Sequence, residues 1–184
     1  MDGNFYVDSR PPFLSADPAA VTLASTDKAL IPVANIPVLG SNYFSYIGKA
    51  LRIRLFGRIT TAATPGNGTF DIYWGNGSDA NGTIIGSSAA FALTASQTNL
   101  SWELELWVRA RALGASGSLF VTGMASFNVG VVASTLQPLM IPASAPAAVA
   151  VDLTAASIVS PQFKRSGSTV ETMQVHDVSF ESMN

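Results

Sequence analysis

The chain of 184 residues contains no cysteine. Disulfides, thiolate metal sites and a cysteine nucleophile are therefore excluded. Charge is scarce too. Asp, Glu, Lys and Arg make up 12% of the chain, with 10 basic residues against 12 acidic ones. The isoelectric point lies near 5.2. Apart from Arg52, Arg54 and Arg58 the cations are scattered, so the basic stripe expected of a nucleic-acid binder is missing. No run of about 18 continuous apolar residues occurs, so no transmembrane helix is expected. Met1-Asp2-Gly3-Asn4 is neither basic nor followed by an apolar stretch, so a secretion signal is not expected. No segment carries a sustained 3.6-residue period, and no repeat of fixed length is present.

What remains is an apolar chain rich in Ala, Val, Leu, Ser, Thr and Gly. Apolar residues reach 48% and mean hydropathy is +0.32. So little charge on so apolar a chain points to surface buried in a permanent assembly. The length suits one domain that buries a core without staples.

Residues 1–20 differ from the rest. They carry Pro11, Pro12 and Pro18 together with Asp2, Asp8 and Asp17, and Phe5, Tyr6, Phe13 and Leu14 are sprinkled among them. No period runs through the segment, which reads as an extended arm. Its aromatics favour docking on a neighbour, so Phe5, Tyr6, Phe13 and Leu14 are candidate contact residues.

From residue 21 to residue 184 the pattern is that of strands. Val21–Ala24 and Lys28–Val33 are short runs broken by proline, as in edge strands. Leu51, Ile53, Leu55 and Ile59 alternate with Arg52, Arg54 and Arg58, a strand with one wet face. Thr64–Thr69 carries turn chemistry, and Phe70, Ile72 and Trp74 alternate with Asp71 and Tyr73. Residues 51–74 therefore read as a hairpin in which Asp71 faces one of the arginines. After the Gly75–Gly82 loop, a strand pair reads through 83–93. In Ser101–Ala112, Trp102, Leu104, Leu106, Val108 and Ala110 alternate with Glu103, Glu105, Trp107, Arg109 and Arg111. Gly114–Gly117 turns the chain into a strand over 118–127. Residues 134–148, with Pro138, Pro142 and Pro146, read as a long loop. Runs at 149–153, 158–163 and 169–180 complete the count. Eight to ten short strands separated by turn signals predict an all-β sandwich, and a jelly roll suits that number.

Motifs for chemistry are weak. His176 is the single histidine. A strand would place the adjacent Asp177 on the opposite face, where it could not orient the ring. Glu103 and Glu105 share a face roughly 7 Å apart by strand rise, permissive for a glycosidase pair, but arginines follow on that face and no cleft is implied. Asn76–Gly82 has one acid, Asp79, and no closing Glu, so it reads as an Asn/Gly turn and not a calcium loop. Three Asn-Gly-Ser/Thr triplets, at Asn67, Asn76 and Asn81, read as turns and not as glycosylation sites. No catalytic residue, metal site or cofactor is expected. Arg52, Arg54 and Arg58 are expected to pair with Glu103 and Glu105 or with a neighbouring subunit. Tyr73, Trp74 and Trp107 are the aromatics that a glycan could stack on. Trp107, on the charged outer face of its strand, is the most suggestive of them, and a subunit-interface role is the reading favoured for it.

The order of several segments resembles a family of small virion proteins of tailed bacteriophages, the head decoration or minor capsid proteins. These segments are Arg54–Thr60, Thr64–Gly75, Ala92–Trp102, Val108–Gly114, Ile141–Pro146 and His176–Asn184. The resemblance covers the chain from about Leu51 onwards and supplies no catalytic motif. It implies a jelly-roll domain, trimeric, on the outside of the capsid, made in the host cytoplasm. Its implied partners are the major capsid protein and further copies of itself, with no nucleic acid and no membrane. The rival from another class is a tail or baseplate module that binds host carbohydrate.

Overall fold

A computed structural model describes residues 18–128, 130 and 138–183. The described residues form twelve strands: β1 (Val21–Thr22), β2 (Lys28–Ala29), β3 (Ala50–Thr60), β4 (Asn67–Gly75), β5 (Thr83–Ser87), β6 (Phe91–Ala92), β7 (Leu100–Ala112), β8 (Ser118–Phe127), β9 (Leu139–Ile141), β10 (Val149–Ala150), β11 (Ile158–Arg165) and β12 (Thr172–Met183). They form two antiparallel sheets packed face to face. The larger runs β1-β12-β3-β7-β8-β10, with β9 also on β8. The smaller runs β2-β11-β4-β5, with β6 also on β4. The protein is an all-β sandwich.

Alternation explains the central strands. In β3, Leu51, Ile53, Leu55 and Ile59 point inward and are buried; in β7, Trp102, Leu104, Leu106, Val108 and Ala110 do the same. β3 and β7 pair over their length, from Ala50↔Arg109 to Ile59↔Leu100. The small sheet answers with Phe70, Ile72 and Trp74 from β4 and Val159 and Phe163 from β11. Phe70 meets Phe163 edge-on at a centroid distance of 4.8 Å and lies 6.0 Å from Trp102, joining the two sheets. The expected turn at Gly114–Gly117 closes the β7–β8 hairpin, with Gly117 N–H donating to Gly114 O. The short runs at the start of the domain are edge strands as expected: β1 on β12 and β2 on β11.

Five expectations need correction. Residues 51–74 are not a hairpin, because β3 and β4 lie in different sheets. As the chain leaves β3, Thr61 N–H donates to Gln97 O and Thr61 Oγ1 donates to Thr94 O, which carries the backbone across the end of the sandwich. Asp71 therefore faces no arginine; Lys164 of β11 lies 2.5 Å from its Oδ2. Within 83–93, β5 and β6 do not pair with each other, since both lean on β4. The proposed loop at 134–148 contains β9, whose three residues pair with Gly123–Ala125 of β8; the flanking prolines hid so short a strand. Finally, a β-bulge between Val175 and Asp177 breaks the alternation at the histidine. Val175 and Val178 fill the core, and His176 and Asp177 lie between them outside it, so the opposite-face argument does not hold.

Candidate interaction face

The outward face of the large sheet gathers Arg52, Arg54, Arg58, Glu103, Glu105 and Trp107 from β3 and β7. Register sets them in rows across the strands. One row runs Glu181, Arg52, Trp107, Thr122. The next runs Ser179, Arg54, Glu105, Met124, Met140. A third runs Asp177, Phe56, Glu103, Ser126, and a fourth begins Gln174, Arg58, Ser101.

The expected pairing of arginines with glutamates holds for Glu105. Arg52 Nε donates to Glu105 Oε1 at 3.0 Å and Arg52 Nη1 to Glu181 Oε2 at 3.3 Å. Arg54 Nε stands 3.8 Å from the other Glu105 oxygen. The hydrogen bond from Arg52 holds the Glu105 carboxyl below its ordinary range. Trp107 is half-buried among these charges. The guanidinium of Arg52 lies 5.4 Å and that of Arg109 5.0 Å from its ring centroid. Such contacts fix the ring and occupy the surface that a sugar would stack on. Tyr73 and Trp74, the other glycan candidates, are 5% and 7% exposed and belong to the small sheet, away from this face.

Beside this ion-paired frame three large apolar side chains stand exposed among the charges. Phe56, Met124 and Met140 are 42%, 45% and 57% exposed. Arg54, Phe56, Glu103, Glu105, Met124 and Asp177 line a shallow depression of about 300 Å³. A second, of about 250 Å³, shares Phe56 and Glu103 and extends to Ser126. Phenylalanine, tryptophan, methionine and arginine side by side are the composition of protein interface cores. Sequence reasoning found Trp107 and missed the other three. Phe56 stands at an outward position in the β3 alternation, and that parity was the signal available. Phe5, Tyr6, Phe13 and Leu14 lie outside the described residues.

The ionisable groups packed most densely are elsewhere, on the outer side of the small sheet. Lys164 Nζ lies 2.5 Å from Asp71 Oδ2 and 3.6 Å from Asp27 Oδ2. Tyr73 donates to Asp27 at 2.8 Å, and Ser87 Oγ donates to Asp71. Burial raises the Asp27 carboxyl above its ordinary value; the bond from Tyr73 opposes this and the Asp71 charge adds to it. Nearby, Asp79 accepts from Lys28 Nζ and from Ala29 N–H, both at 2.8 Å. These contacts tie residues 27–29 to β4 and β11. The cluster acts as a clamp for a short edge strand. No protein-family model matches the chain, and no curated protein or solved structure was found similar to it.

Proposed function

We propose that this chain is a structural binding module that decorates the outer surface of a tailed-phage head and stabilises it. The observation that carries a binding role is the outward face of the large sheet, where Phe56, Met124 and Met140 stand exposed beside Trp107 in a frame of ion pairs. The capsid as partner rests on the resemblance of the segments from Leu51 onwards. The strand order supports reading the sandwich as a jelly roll: β1-β12-β3-β7 faces β2-β11-β4-β5, so strands from the two ends of the chain pair with each other. On this reading the face and the arm residues Phe5, Tyr6, Phe13 and Leu14 share the contacts with major capsid protein and with sister copies in a trimer. Many copies binding across capsomer boundaries would then resist the pressure of packaged DNA.

Co-sedimentation with capsids lacking the protein tests this. Full-length chain should saturate them at high copy number, and the double variant Phe56→Ser/Met124→Ser should bind at least about tenfold more weakly, as loss of two central contacts implies. Absence of binding by full-length chain would overturn the decoration reading and turn attention to host carbohydrate.

A further inference from the structure

The chain has no cysteine and so no disulfide to lock its sheets. The charged cluster on the small sheet has the geometry for a different covalent link. Asp71 and Lys164 stand on adjacent strands, β4 and β11. Asp71 is the register partner of Gln162, so Lys164 is its diagonal neighbour, within reach of a long side chain. The Asp71 side chain is 2% exposed, and Lys164 Nζ lies 2.5 Å from its Oδ2. At ordinary hydrogen-bond angles this puts Nζ roughly 3–3.5 Å from the carboxyl carbon, a near-attack distance.

Neighbouring groups supply the rest. Ser87 Oγ donates to Asp71 Oδ1, the oxygen that carries negative charge in a tetrahedral intermediate. Asp27 Oδ2 stands 3.6 Å from Lys164 Nζ and accepts from Tyr73. Asp27 Oδ1 is buried and has no hydrogen-bond partner among the described residues, which leaves it able to carry a proton. Burial raises this carboxyl, so it keeps its proton to higher pH than an ordinary aspartate. The hydrogen bond to Asp71 holds Lys164 protonated. Attack therefore begins in the fraction of molecules whose proton has passed from Nζ to Asp71 Oδ2, and the reaction is slow.

We propose that Lys164 and Asp71 join in an intramolecular amide, with Asp27 as the proton relay. The neutral amine attacks Asp71 Cγ and the Nζ–Cγ bond forms. Asp27 delivers its proton to the protonated Oδ2 and takes one from Nζ, and the Cγ–Oδ2 bond breaks. One water leaves, and nothing is oxidised or reduced. The bond ties β4 to β11 across 93 positions of the chain and constrains the unfolded state as a disulfide does. It does not depend on what the protein binds.

Intact mass under denaturing conditions tests this, on full-length protein held for days in neutral and in mildly acidic buffer. The mass should fall by one water. A digest should yield a branched peptide joining the segments around residues 71 and 164. Lys164→Arg keeps a cation beside Asp71 and should retain the full mass. Asp27→Asn keeps an acceptor for Tyr73 and should form the bond about a hundredfold more slowly; an unchanged rate overturns the relay. Full mass in the parent protein in both buffers overturns the proposal. So does a water loss that persists in Lys164→Arg, which marks ring closure at Asp2-Gly3 instead.

Discussion

Gly57 shows how one missing side chain sets the core. It occupies an inward position of β3 opposite Trp102, whose indole is 1% exposed. A Cβ there would fall 2.1 Å from Gln174 O on the neighbouring strand and 2.8 Å from the Trp102 ring. The backbone of β12 and the largest buried side chain would both have to move. Overpacking of this kind costs about 1–3 kcal/mol, and more where backbone is struck. Gly57→Ala should therefore lower the urea midpoint by the equivalent of at least about 2 kcal/mol. A second residue-scale prediction concerns Asp27. Its folded pKa lies above the ordinary 3.8, chiefly through burial. Below that value the group is neutral in both states and costs nothing. As pH rises through 3.8 the unfolded chain ionises first, so this residue subtracts stability until its folded pKa is passed. Asp27→Asn keeps an acceptor for Tyr73 and removes the charge. Its stability relative to the parent should improve as pH rises from acid towards neutral, then level off. A relative stability that declines over that range would contradict the assignment.

At the scale of elements, the connection from β11 to β12 is held by a buried ion pair. Arg165 Nε lies 2.7 Å from Glu171 Oε2, with the two side chains 8% and 0% exposed. Arg165 also donates to Leu23 O at 3.3 Å and to Gly167 O. The pair thus fastens both the turn and the strand that precedes β2. Removing one partner leaves the other charged and buried, at about 3–5 kcal/mol. Glu171→Ala should show that loss in chemical denaturation. Arg165→Met with Glu171→Leu should recover much of it, because replacing both partners abolishes the stranded charge. None of this was legible beforehand, since residues 165 and 171 look like ordinary solvated charges. Legibility follows from what alternation encodes. β3 and β7 each have one core face and one wet face, so Leu51–Ile59 and Trp102–Ala110 announce themselves. Alternation reports the face and not the neighbour, so the partners of β3 and β4 were misjudged. β4 misled further because Asp71 and Tyr73, read as wet, are covered by Lys164, Asp27 and Ser87. The same parity that exposed Trp107 as a candidate also exposed Phe56, an apolar residue at an outward position.

At the scale of the whole molecule, the chain closes on itself: Val21 pairs with Met173. β12 lies between β1 and β3, so the large sheet is complete only when the last strand arrives. Pairings so distant in sequence make folding slow, on the order of milliseconds to seconds. The same topology grades local stability. β3 and β7 have paired neighbours on both sides over most of their length, whereas β2, β6 and β10 are two-residue strands at margins. Amides of β3 and β7 should exchange with solvent last, near the rate of global unfolding, and those of β2, β6 and β10 first. Hydrogen exchange on the isolated chain checks this order. The two-residue margins β2, β6 and β10 offer little for strand-to-strand association, so on the proposed decoration role the outward face is where copies or partners would meet. Exchange on the assembled protein should accordingly slow little at β6 and β10. Strong protection of those margins on assembly would mean that partners add strands to the sheets, and would remove the face from that role.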